Sequence, residues 1–247
     1  MGRHHRRAKT VLGSLFTVAL LAVSACSAGN RAPSPKTVRK LAGSAEAVAA
    51  RDKTEKILRA VVQAYSDHTP LALGLVVVRD VCRGGTNKQW FDSAGDDQYK
   101  IKCSLYVTAY YGADPRRMGD VLDGVMDAGD RPASQIPFDH GGYRSNLVEY
   151  YRENGPNPSG PGAPEPTQMS DPSQILSWDP VHDHNTRLLI EEPEECPYND
   201  PPVVRCSTEP EAGTVAQIRR RYGMVFKLDL GSSDYYIVYR SGQSHTR

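Results

Sequence analysis

The chain has 247 residues, 39% of them hydrophobic, with 30 Lys and Arg against 29 Asp and Glu, a formal net charge of +1. A globular composition of this length supports a sizeable core, while the near-neutral balance lacks the basic surplus that phosphate binding requires and argues against a nucleic-acid partner. Arg219, Arg220 and Arg221 form the one dense basic run outside the N-terminus, which a solvated face before a strand explains.

The N-terminus carries Arg3, Arg6, Arg7 and Lys9, then runs from Val11 to Ala25 without a charge. A basic head before an apolar core is the grammar of a secretory signal. The apolar run is shorter than the roughly 18 to 20 residues that cross a membrane as a helix. It ends in Val23, Ser24, Ala25 and Cys26, which resemble the lipobox of bacterial lipoproteins. The resemblance implies that residues 1–25 are removed and that Cys26 carries the acyl chains. The expected location is then the outer face of the cytoplasmic membrane, with a lipid anchor as the membrane contact; two chains hold a protein stably where one does not. The signal removes four basic and no acidic residues, leaving 26 basic against 29 acidic, a net of −3. Residues 26–43 read as the lipidated N-terminus and a flexible tether, and 44–247 as one domain.

From about Ser44 the pattern turns helical, with Ile57, Leu58, Val61, Val62 and Tyr65 on one stripe, until Pro70 ends it. Leu71 to Val78 predicts a buried strand, and Tyr99 to Tyr111, with its strict alternation, a partner with one buried and one wetter face. With Cys26 assigned to lipid, Cys82, Cys103, Cys196 and Cys206 form an even set in an oxidising compartment and read as two disulfides. Three pairings are possible. Cys82 with Cys103 and Cys196 with Cys206 close the shortest loops, and the first would staple the two strands. No C-x-x-C spacing supports zinc-ribbon or thioredoxin-like chemistry.

Asp114 and Pro115 open a second helix with Met118, Val121, Leu122, Val125 and Met126 as its stripe, and Gly129 follows its last turn. Gly119 and Gly124 weaken it by about 1 kcal/mol each. Ile136–Phe138 and Ser145–Tyr151 are short elements of undecided type, and the proline-rich stretch 155–173 reads as an exposed loop. Strands follow at Ile175–Trp178 and Thr186–Ile190. At the C-terminus Tyr222 to Leu230, the turn Gly231–Asp234 and Tyr235 to Arg240 read as a hairpin. Irregular interleaving of helices and strands predicts an α+β fold, an antiparallel sheet with two helices on one face and two local disulfides.

His182 and His184, at i and i+2, share a face if the segment is extended and could chelate zinc with His140 or Asp139 as a third ligand. Polar loop residues beside a proline are the plainer reading. Asp96 and Asp97 lack EF-hand spacing, and Glu191, Glu192, Glu194 and Glu195 read as a charged loop. The mature chain has no G-x-S-x-G, and neither G-x-G-x-x-G nor a P-loop is present. Thirteen tyrosines against four phenylalanines suit a surface that meets partners or sugars, with Tyr106, Tyr110 and Tyr236 expected on outward sheet faces; a half-exposed sheet that prefers tyrosine to phenylalanine is the plainer reading. The reading is a non-catalytic envelope lipoprotein that binds another envelope protein or a glycan and needs no cofactor. A zinc-dependent envelope hydrolase and a solute-binding subunit of an importer are the alternatives.

Overall fold

A computed structural model describes residues 32–85, 99–142, 144–153, 155–183, 189–194 and 203–246. The signal segment, Cys26, Asp96, Asp97, His184, Cys196, Glu195 and most of the strand expected at 186–190 lie outside the described residues.

Two serines start the first two described helices. Ser34 caps α1 (Pro35–Ala42) and Ser44 caps α2 (Ala45–His68), each hydroxyl accepting an amide N–H of the first turn at 3.2 Å. Helix α1 lies within the stretch expected to be a flexible tether, and that expectation is corrected here. Val38 and Ala42 are buried, and Pro33 and Val38 pack against Gly84, so the ordered domain begins about ten residues earlier. On α2 the buried stripe is Ala47, Ala50, Leu58, Val62 and Tyr65; Ile57, assigned to the stripe by its spacing, is exposed.

Strands β1 (Ala72–Gly84) and β2 (Tyr99–Ala113) pair antiparallel, and Cys82 and Cys103 stand opposite each other in the register and are bonded. Cys206 is also disulfide-bonded; Cys196, its expected partner, is not among the described residues. After a 3-10 turn at 115–117 come α3 (Met118–Gly129) and α4 (Arg144–Tyr151), then β3 (Gln168–Asp171), β4 (Gln174–Trp178), β5 (Val203–Glu209), α5 (Val215–Tyr222), β6 (Met224–Tyr239) and β7 (Ser244–Thr246). The fold is α+β, with five helices and a seven-stranded antiparallel sheet among the described residues. The sheet order is β3-β4-β6-β2-β1-β5, with β7 paired to β6.

Three expectations fail for identifiable reasons. The C-terminal hairpin does not form: β6 is one 16-residue strand that runs the length of β2. A hairpin would leave half of β2 without a ladder partner on that side, whereas β-bulges absorb the polar residues Ser232 to Asp234 without reversing the chain. Residues 168–171, read as part of the proline-rich loop, form the edge strand β3, because Met169 has a buried place beside β4. Helices also occupy both faces of the sheet, not one. The main core lies between the sheet and α1 to α4, while α5 buries Val215 and Ile218 on the opposite face against Leu75, Tyr110 and Val225.

Bare backbone seats α5. A Cβ at Gly112 would fall 2.1 Å from the Tyr222 ring, and one at Gly74 would fall 2.5 Å from Ile218. Asp179 then locks the helix down. Its carboxylate, nearly fully buried, accepts two hydrogen bonds from Arg219 at 2.8 and 2.9 Å, one from the Ile190 amide at 2.7 Å and one from the Val225 amide at 2.9 Å. Arg219 also donates to the Ile190 carbonyl at 2.7 Å.

Removing one member of a buried pair strands the other, at a cost of about 3 kcal/mol when the survivor can partly reach water, as Arg219 can. Asp179→Ala is therefore expected to lower stability by that amount, read from the urea midpoint, and to raise amide exchange at Ile190 above that of β2.

Candidate functional sites

Two arrangements of polar side chains stand out, one on each face of the sheet.

The first is a groove on the face opposite the main core. Its floor follows from the period of two in β2: Tyr106, Thr108 and Tyr110 point one way while Leu105, Val107, Ala109 and Tyr111 point into the main core. In-register neighbours extend the floor, Arg79 and Val77 from β1 and Asp229 and Lys227 from β6. A strap, residues 189–194, forms the wall and leaves a cavity of about 440 Å³. Asp179 and Arg219 hold one end of the strap. Further along, Glu192 accepts hydrogen bonds from the Val215 and Ala216 amides at 2.7 and 2.8 Å, so an anion sits at the N-terminus of α5 beside the Thr214 capping box. Part of the acidic run expected to be plain solvated loop is thus a helix cap.

Tyr106 and Tyr110, both expected on the wetter face, line this groove together. Tyr106 is half-buried under the Arg79 guanidinium, 5.5 Å from its ring centre. Tyr110 is buried, and the loss of water pushes its phenol up to about 12, helped by the Asp229 and Glu192 carboxylates. Tyr236 does not join them. The irregularities between the Thr108 and Tyr106 pairings and between the Ser104 and Cys103 pairings each add one residue to β6 and cancel in parity, so Tyr236 stands beside Cys103 on the face of Leu228 and Leu230, buried in the main core.

The second arrangement centres on His140. Gly129 admits the Phe138 backbone so closely that a Cβ would meet its carbonyl oxygen at 2.1 Å, and this contact returns His140 to α3. Nδ1 lies 2.6 Å from Asp130 and Nε2 2.9 Å from Asp123. Arg152 reaches Asp123 at 2.7 Å and Asp120 at 3.3 Å. Asp123, Asp127 and Asp130 recur at i, i+4 and i+7 on one face of α3, a polar stripe legible in the sequence but overshadowed by the apolar one. Asp127, Asp130 and His140 each offer a ligand atom, all within 4.8 Å of one another, and could hold a metal ion.

His182 is elsewhere engaged. The successive amides of Val181, His182 and Asp183 donate to the Glu165 carboxylate at 2.8 to 2.9 Å, so residues 181–183 bend around an acceptor and form no strand. The His182 ring stacks on Tyr151 and meets the edge of Tyr150. Tyr151 in turn donates to the Pro166 carbonyl and accepts from the Trp178 indole. His182 shares no partner with His140 and is not in the group that could hold a metal.

Comparison with protein-family models, curated proteins and solved structures finds no match for the chain. No helix among the described residues is long and apolar enough to cross a membrane.

Hydrogen bonds that the protonated ring donates, first to Asp123 and then to Asp130, raise the pKa of His140 above its ordinary value, while the same contacts hold both carboxylates below theirs. The raised histidine contributes stability in full below about pH 6.5 and loses it as pH rises through the folded pKa; the depressed carboxylates contribute fully above about pH 4 and lose it as pH falls through theirs. The clamp is therefore strongest between those limits. In an NMR titration the His140 ring is expected to deprotonate at higher pH than a free histidine, and an Asp123→Asn/Asp130→Asn variant should remove that shift. Titration of the unaltered protein at or below the free value would mean that the clamp does not persist in solution.

Proposed function

We propose that this protein is a membrane-anchored lipoprotein of the cell envelope, held by acyl chains on Cys26, and that it is a binding module and not an enzyme. The observation that carries the binding reading is the groove. It brings Tyr106 and Tyr110 together with charged side chains from β1 and β6 in a cavity of about 440 Å³, within the range of about 300–1,000 Å³ that small-ligand sites occupy. Its floor is rigid sheet, which positions side chains more precisely than a loop does. The anchor rests on the basic head, the apolar core and the Val23–Cys26 box. Helix α1 packs at the Gly84 end of β1, so the N-terminal link enters the domain there.

A second reading, a metal-dependent envelope hydrolase, is favoured by the Asp127, Asp130 and His140 arrangement. The imidazole and two carboxylates fit zinc, and the site belongs to His140 without His182.

In bacteria fed an alkyne fatty acid, the full chain is expected to be labelled and to sediment with membranes, whereas Cys26→Ala is unlabelled. A photo-crosslinking residue at Tyr106 should give a discrete adduct in cells of the source bacterium, and one at Lys56 on α2 should not; equal behaviour at the two positions would remove the groove from the reading. The hydrolase reading predicts near-stoichiometric zinc by elemental mass spectrometry after dialysis, lost in His140→Ala and kept in His182→Ala. Protein free of metal after zinc loading would eliminate it.

A further inference from the structure

The groove contains a largely buried tyrosine whose hydroxyl opens to the cavity with no described protein partner. Tyr110 is 3% exposed and faces the cavity; its hydroxyl makes no hydrogen bond to any described residue and is not among the fully enclosed polar atoms, so the oxygen is the tip through which the side chain meets the groove. Three of the four carboxylates that line the groove already have partners. Asp229 accepts from Thr108 at 2.8 Å through one oxygen and pairs with Lys227 at 2.9 Å through the other. Glu192 is committed to the first amides of α5. Arg79 rests over the Tyr106 ring and lies 3.9 Å from Glu194.

A charged ligand fits such a site poorly. A carboxylate would approach Glu191, Glu192 and Glu194 on the strap, and an ammonium would meet Arg79 and Lys227 on the floor, so a charge of either sign meets its like on one side of the groove and a neutral ligand does not. A hydroxyl differs from both. It donates and accepts at once, so it can bond the spare lone pairs of Asp229 and the free Tyr110 hydroxyl together. The phenol stays protonated at neutral pH, since burial holds it near 12, and keeps its donor.

The spacing adds a length. Tyr106 and Tyr110 are four residues apart on a strand, about 13 Å at about 3.3 Å per residue, with Thr108 between them. Aromatic rings at the two ends and polar groups in the middle suit a chain of rings that carry apolar C–H faces and hydroxyl edges. We propose that the groove, taken as the binding site argued above, recognises an uncharged saccharide chain, with Tyr110 as the central hydrogen-bonding group and Tyr106 as a stacking platform.

The test uses the full lipidated chain in a sugar-free detergent, with carbon-13 in its tyrosine rings. Chitotetraose, maltotetraose and mannotetraose are titrated separately, with tetraglutamate and tetralysine as charged counterparts. At least one tetrasaccharide should shift the Tyr106 and Tyr110 ring signals. Tyr110→Phe, which removes a single oxygen, should weaken that binding about three- to tenfold, the worth of one hydrogen bond. Tyr106→Ala should weaken it through loss of the ring, and Tyr236→Phe on the other face should leave it unchanged. Response to a charged peptide alone would overturn the saccharide assignment and keep the groove as a binding site. Silence toward all five probes would overturn both. Saccharide binding indifferent to Tyr110→Phe and Tyr106→Ala would place recognition elsewhere and also overturn the proposal.

Discussion

The Asp179 carboxylate is the constraint on which the second face of the sheet depends. A nearly fully buried carboxylate is costly unless hydrogen bonds replace its lost water, and here the four donors come from three separate pieces of chain: Arg219 of α5, the Ile190 amide of the strap and the Val225 amide of β6. One charge at the end of β4 thereby fixes a helix, a loop and the central strand in one geometry. Because the bonds are charge-assisted, they resist substitution by any neutral residue of similar size. The groove lies between the strap held in this way and the floor of β1, β2 and β6.

The two faces of the sheet are built by different means. Four helices close the first with a continuous apolar core, including Trp178, Tyr65, Tyr111, Phe138 and Phe226. On the second, a single eight-residue helix sits on a shelf of two glycines and covers only one end. The rest of that face keeps the alternate residues of β1, β2 and β6 near water, which is why its chemistry is polar and its tyrosines can meet a ligand. Buried charge also occurs on the first face, where Asp80 accepts a hydrogen bond from Tyr235 at 2.8 Å and lies 3.9 Å from Arg51. Burial raises the pKa of Asp80 despite these contacts, so that carboxylate serves the packing of α2 at a cost.

On α3 the same helix carries two stripes. Its apolar side meets the core, while its outer side aligns carboxylates at i, i+3 or i+4 spacing that would repel one another if left alone. Arg152 from α4 and His140 from the returning loop supply the compensating charge. Gly119 and Gly129, which weaken the isolated helix, are the positions where α4 and that loop approach it. The intrinsic cost of glycine there is offset by contacts that a side chain would block.

Periodicity within one element was enough to read α2, β1, β2 and α3, the α+β class and the Cys82–Cys103 bond, because each depends on local spacing or on two strands that are neighbours in the chain. The polar face of β2 was legible for the same reason, and so were Tyr106 and Tyr110. What the sequence could not determine were relations between distant segments. The ladder offered by β2 outweighs the local turn signal, so the expected hairpin is one continuous strand that carries Tyr236 inward on the face of Leu228 and Leu230. His140 and His182, grouped by residue type, took separate partners, because Gly129 returns one to α3 and Glu165 gathers the amides of the other. The strap that walls the groove is fixed by Asp179 and Arg219, 40 positions apart. Sequence spacing specifies which side of its own element a residue occupies; which elements then meet is decided by burial and hydrogen bonding across the whole chain.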